Sequence, residues 1–142
     1  MNPREARERF AAERVARLAT IGAGGAPHLV PVVFAIEGDT VWIAVDDKPK
    51  RSRELQRLTN VEAEARVSLL VDAYDDRDWS ALWWVRADGR ARVLRDADAV
   101  SRAATLLGAK YPQHAARPPA GPAIAVDVER WSGWSATGRD EA

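Results

Sequence analysis

Apolar and polar residues alternate in a way that lays out most of the chain before any motif is considered. Asn2-Pro3-Arg4-Glu5 has the grammar of a helix start: Asn2 caps, Pro3 suits the first helical position and Glu5 can close a capping box, which predicts a helix over 3–13. VARLATI (15–21) then reads as a strand, broken by GAGGAP, and HLVPVVFAIEGD (28–39) reads as its partner. A turn at Glu37-Gly38-Asp39 leads into TVWIAV (40–45), so these three strands are expected to form an antiparallel meander. Leu55 and Leu58 stand at helical spacing, predicting a short helix over 51–59, and EARVSLLVDA (64–73) returns to a strand. SALWWVRADGRARVL (80–94) is a long strand with a bend or bulge expected at Ala87-Asp88-Gly89. Asp96 can cap a helix over 97–109 whose apolar face is Val100, Ala103, Ala104 and Leu107. PQHAARPPAGP reads as a loop, and 122–136 as one long or two short closing strands.

Strands thus follow one another rather than alternating strictly with helices. That favours a mainly β, mostly antiparallel barrel with inserted helices over a doubly wound sheet. A length of 142 residues fits one domain, 1–142, and 46% hydrophobic residues are enough for a core. Twenty-one basic residues balance 21 acidic ones, so no global charge attracts nucleic acid or an anionic membrane. No apolar run reaches the roughly 18–20 residues of a membrane span, and the charged start MNPREARERF lacks a signal core, so a cytoplasmic protein is expected. The absence of cysteine excludes disulfides and thiolate metal sites, and His28 and His114 are too distant in sequence to suggest a metal site.

The chemistry-bearing motifs of acid–base or nucleophilic catalysis are missing as well. Gly22, Gly24 and Gly25 lie in a hairpin turn with no helix after it, and no P-loop, HExxH or GxSxG occurs. No catalytic side chain is nominated, and redox chemistry carried by a cofactor fits better, because the protein then supplies only binding, orientation and electrostatics. Charge concentrates at DDKPKRSREL (46–55), where Lys48, Lys50, Arg51 and Arg53 crowd a strand-to-helix junction. Read alone, this is either a solvated turn pairing with Asp46, Asp47 and Glu54, or an anion site at a helix N-terminus with Ser52 as cap.

The order of elements shifts the balance toward the second. A meander, VWIAV, a basic junction, a short helix and then ARVSLLV resembles the split β-barrel flavin and deazaflavin oxidoreductases, the superfamily of the pyridoxine 5′-phosphate oxidases. The likeness covers about residues 5–137 and is clearest in RELQRLTNVEAEARVSLLV. The closing WSGWSA and the short chain resemble the actinobacterial branch that binds the deazaflavin coenzyme F420. The resemblance implies a homodimer that binds its cofactor between subunits and transfers a hydride to a small organic acceptor. It assigns Lys50 and Arg51 to the cofactor phosphate, with Ser52 beside them and Lys48 assisting. The backbone of Val30-Pro31-Val32-Val33 is then expected along the ring, with Val45 ending the neighbouring strand against it. Trp79 and Trp84 match positions that approach the cofactor, in many members from the second subunit. His28 stands where the pyridoxine phosphate oxidases carry an arginine, and ERWSGWSATGRDEA has no Arg-Leu-His substrate clamp, so oxidation of pyridoxine phosphate is disfavoured. An FMN-dependent enzyme on the same scaffold, or a non-catalytic carrier of the cofactor, remain as alternatives.

Overall fold

The first helix, α1 (Pro3–Ala12), shows why the chain opens as it does. The Asn2 side-chain oxygen accepts the Glu5 N–H at 2.8 Å, and Pro3 fills the first turn. Ala6 and Phe10, four residues apart, are wholly buried on one face. In the computed structural model, residues 1–45 and 51–137 are described, and side chains for 1–45 and 56–137.

Among the described residues seven strands follow: β1 (Ala16–Ile21), β2 (Pro27–Val32), β3 (Ala35–Glu37), β4 (Thr40–Ala44), β5 (Arg66–Ala73), β6 (Trp83–Leu94) and β7 (Ala123–Ser135). Helix α2 (Arg51–Ala63) lies between β4 and β5, while α3 (Ala97–Lys110) and the short α4 (Pro112–Ala116) lie between β6 and β7. All pairings are antiparallel, in the order β2-β1-β5-β6-β7-β4-β3. The β1–β2 hairpin turns on Gly24 and Gly25 at φ 70 and 80, values that favour glycine.

The expected single strand over 28–39 is in fact two, β2 and β3, which stand at opposite ends of the sheet order. The meander is corrected accordingly. The cause is distant in sequence: the Phe34 N–H donates to the Tyr111 hydroxyl at 3.2 Å, and that hydroxyl donates to the Phe34 carbonyl at 2.9 Å. Phe34 therefore takes its hydrogen bonds from the end of α3 rather than from a neighbouring strand. Only Val33 and Phe34 separate β2 from β3, a reach of about 10 Å, so the two ends of the sheet must curl toward each other into a barrel.

The bulge expected near Gly89 is present as a register shift between Asp88 and Gly89 against β7. A Cβ there would come within 2.2 Å of the Asp127 carbonyl oxygen, so only glycine permits the approach. Helix α2 runs four residues beyond its expected end at 59, and the proline-rich loop contains α4. The closing segment is one strand, β7. Asp96 caps α3 by accepting the Ala99 N–H at 3.1 Å.

The main core gathers Phe10, Leu18, Phe34, Ile43, Leu69, Val71, Val85 and Ile124 inside the barrel. Trp42 sits in a smaller cluster with Ala103, Ala123 and Ala125, where the apolar face of α3 covers β4 and β7.

Candidate cofactor site

Strand β4 delivers the chain to the basic junction. Val45, just past its end, is buried, and its N–H donates to the Pro122 carbonyl at 3.0 Å. Gly121 presses so close that a Cβ on it would lie 2.6 Å from the Val45 oxygen. The exit of β4 is thereby fixed against the start of β7. Lys48 and Lys50 lie outside the described residues. The helix backbone begins at Arg51, which places Ser52 within the first turn rather than before it. The side chains of Arg51 and Ser52 are likewise outside the described residues. A helix of 13 residues starting here presents its first N–H groups and the positive end of its dipole at the junction.

What orients α2 is a polar chain that runs from the surface into the core. Gln56 Nε2 donates to Asn60 Oδ1 at 2.7 Å, and Asn60 Nδ2 donates to Thr20 Oγ1 at 3.0 Å. Asn60 and Thr20 are 3% and 2% exposed, so the bond between them faces little competition from water. At its far end, Glu62 takes both Arg95 nitrogens at 3.1 Å, and Arg95 holds the Glu62 carboxyl below the usual carboxylate range. That pair is exposed and contributes little to stability. Asn60→Leu is therefore expected to cost about 1–3 kcal/mol, because it strands the Thr20 hydroxyl in the core, while the exposed Gln56 amide returns to water. Adding Thr20→Val should recover part of the loss in a urea melt, since both buried partners are then apolar.

Thr20 stands opposite His28 in the β1–β2 register, which brings His28 to the side of the barrel where α2 packs. His28 Nδ1 is closed off from solvent and has no hydrogen-bond partner among the described residues. An unpartnered buried nitrogen is costly unless something else completes it, and a bound group would do so. Val32 and Val45 belong to one core cluster with Val30 packed against it, so their side chains form a floor. Pro31 is exposed on the other face, and Val33 is half-buried in the link to β3. Among the described residues β2 pairs with β1 alone, which leaves one edge of its backbone without a strand partner. A ring could therefore meet β2 through its backbone, not through its valines.

Trp83 and Trp84 face opposite sides, as adjacent strand residues must. Trp83 packs on the core, while Trp84 lines a groove of about 720 Å³ on the outer face of the sheet. Leu29, Leu70, Arg17, Asp72 and Arg86 also line it. Leu29 and Leu70 are 67% and 40% exposed, a pair that sequence reasoning did not single out. Their signal was available: each is apolar at an outward position of a strand whose inward positions are also apolar. Trp79 is brought neither to this groove nor to the core; it stands 67% exposed on a single 3₁₀ turn, Trp79–Ala81. His114 contacts the Tyr111 ring edge-on at 5.9 Å.

A curled antiparallel sheet whose β4 exit feeds a basic helix start is the architecture of the split-barrel, flavin-binding class. The family model described as pyridoxamine 5′-phosphate oxidase matches residues 3–135, and the chain belongs to that family. It is 37% identical over 84 residues to the 5a,11a-dehydrotetracycline/5a,11a-dehydrooxytetracycline reductase of Streptomyces rimosus subsp. rimosus. That match spans 58% of this chain and 57% of the reductase, little more than half of either. The fold is similar to that of the conserved hypothetical protein Rv2991 of Mycobacterium tuberculosis, with a TM-score of 0.77 at 22% identity, covering 96% of this chain and 86% of that one. It is also similar to a FAD-binding protein of Mesorhizobium loti, with a TM-score of 0.72 at 20% identity, covering 94% of each chain. Among the described residues no helix is long and apolar enough to cross a membrane.

Proposed function

We propose that the chain is a cytoplasmic, homodimeric oxidoreductase that binds coenzyme F420 and reduces a small organic acceptor. The observation that carries this reading is the basic start of α2, a helix tied to the sheet further along through Asn60 and Thr20, with an unpartnered nitrogen on His28 opposite Thr20. Lys50, Arg51 and Ser52 would hold the phosphate, with Lys48 near them. The backbone of Val30–Val33, His28 and Val45 would bound the ring on one side, and Trp84 or Trp79 would approach it from a second subunit. When bound, the deazaflavin supplies hydride chemistry; the chain's own residues bind, orient and exclude water. The resemblance of WSGWSA and the short chain to the deazaflavin branch supports F420, and the matched reductase supports a reductive role. The outer groove is large enough for an organic molecule of moderate size.

FMN is the second reading, favoured by the likeness of the fold to a FAD-binding protein. The two separate on purification and titration. Protein free of flavin absorbance that binds added F420 more tightly than FMN supports the proposal. Copurified flavin, or tighter FMN binding, overturns it. Turnover of a panel of enones, quinones and tetrapyrroles with reduced F420 then tests the enzyme against the carrier, and binding without turnover assigns the carrier.

A further inference from the structure

Strand register gives the outer groove an order that its volume alone does not show. Directly opposite residues share one face of a sheet, and diagonal ones lie within reach of long side chains. Leu29 on β2 stands opposite Ala19 on β1, Leu70 on β5 stands opposite Arg86 on β6, and Asp72 stands opposite Trp84. Leu29, Ala19, Leu70 and Trp84 therefore follow one another diagonally across four strands as an apolar strip. Trp134 on β7 stands opposite Trp84 and adds a second indole beside it. Arg17, opposite Leu70, flanks the strip with Asp72 on one side, and Ser68 flanks it with Arg86 on the other.

Hydrogen-bond donors are in surplus here. Arg17 Nη1 lies 3.6 Å from Asp72 Oδ1, an ion pair too long to be a hydrogen bond. Arg86 donates through Nε to Asp88 at 3.0 Å and makes no hydrogen bond through its terminal nitrogens among the described residues. Asp88 also accepts the Ser68 hydroxyl at 2.6 Å, so its carboxylate is already engaged. Among the described residues Asp72 is the one carboxylate lining the groove, against two guanidinium groups, and it lies on the Arg17 flank. The Arg86 flank thus offers terminal N–H groups with no acidic oxygen of the groove lining beside them.

We infer that this groove binds a planar aromatic anion, with its rings along the apolar strip against Trp84 and its acidic oxygens on Arg86. A flat ring system follows a strip of leucine and indole, and the free end of a guanidinium can grip two oxygens at once. Arg17 adds charge from the opposite flank, reduced by Asp72. That such a molecule is the acceptor rests on the reading as a reductase, since Trp84 is also a residue proposed to approach the ring from a second subunit. Its binding in the groove does not rest on that reading.

The probes are 1-pyrenecarboxylate, a flat aromatic anion, and uncharged 1-pyrenemethanol, which keeps the same rings. Each is titrated into the full chain with no cofactor added, and energy transfer from tryptophan to pyrene reads the binding. The carboxylate is expected to bind one per chain, about tenfold more tightly than the alcohol. Arg86→Gln should weaken the carboxylate about fivefold and Arg17→Gln about twofold, with the alcohol unchanged in both. The unchanged alcohol also shows that each variant is folded. Arg90→Gln, at an exposed arginine of β6 that does not line the groove, should alter neither probe. Equal affinity for the two probes, or an Arg86→Gln chain that binds the carboxylate as well as Arg90→Gln does, overturns the inference. So does affinity that falls as protein concentration rises, because a second copy then covers the groove. Carboxylate binding as expected in a chain that fails to bind F420 would overturn the cofactor reading and leave the groove assigned.

Discussion

Replacing Lys50 and Arg51 together with alanine is expected to weaken cofactor binding about tenfold or more while leaving the unfolding transition nearly unchanged. Each charge-assisted contact to a phosphate is worth about 1.5–3 kcal/mol, and neighbouring Lys48 and Arg53 can replace part of the lost charge. The fold should survive because α2 is held to the barrel well beyond Arg51. Leu58 and Val61 are each 3% exposed in the core cluster, and Asn60 ties the helix to β1. Arg51→Lys separates charge from geometry, since lysine keeps the charge but cannot grip two oxygens as a fork. Fluorescence titration with F420 and with FMN measures the effect. Unchanged affinity in the double variant would remove Lys50 and Arg51 from the site while leaving the family membership intact.

Much of this architecture is readable from local signals. Asn2 and Asp96 announce α1 and α3 because a cap acts within one turn, and both caps are made. The adjacent tryptophans divide between core and groove because strand residues alternate, which needs no knowledge of the partner strand. The split of 28–39 is different. It depends on the Tyr111 hydroxyl, 77 residues away, and no property of VVFA reveals it. The groove is also a product of assembly: Arg17 and Leu70 become opposite only when β1 meets β5, and Ala19 meets Leu29 only in the β1–β2 register. At the candidate site, spacing showed a charged junction but left its purpose open; resemblance named Lys50, Arg51 and Ser52. The polar chain through Asn60 escaped notice because an asparagine inside a helical segment usually signals exposure, and here it is buried.

Phe10→Ala is expected to produce the largest loss of stability, about 3–5 kcal/mol, by opening a cavity under α1. The Phe10 ring is wholly buried, tilted 55° against Phe34 at 4.8 Å and set edge-on to Trp131 at 5.4 Å. A helix of ten residues is not stable by itself, so α1 owes its place to Phe10 and Ala6. Phe34 has a second hold through Tyr111, whereas α1 keeps only the small Ala6 as a wholly buried residue, among the described residues, once Phe10 is gone. Two outcomes can therefore be told apart. If the barrel and α1 unfold together, urea denaturation will show a lower midpoint with the slope unchanged. If α1 detaches first, the slope falls, and amide exchange rises over residues 6–12 before it rises in β5 and β6. Phe10→Leu should cost far less than Phe10→Ala, because it keeps most of the buried volume while losing the aromatic contacts. A loss under about 1 kcal/mol for Phe10→Ala would mean that α1 is dispensable and that Tyr111 alone holds Phe34 in the barrel seam.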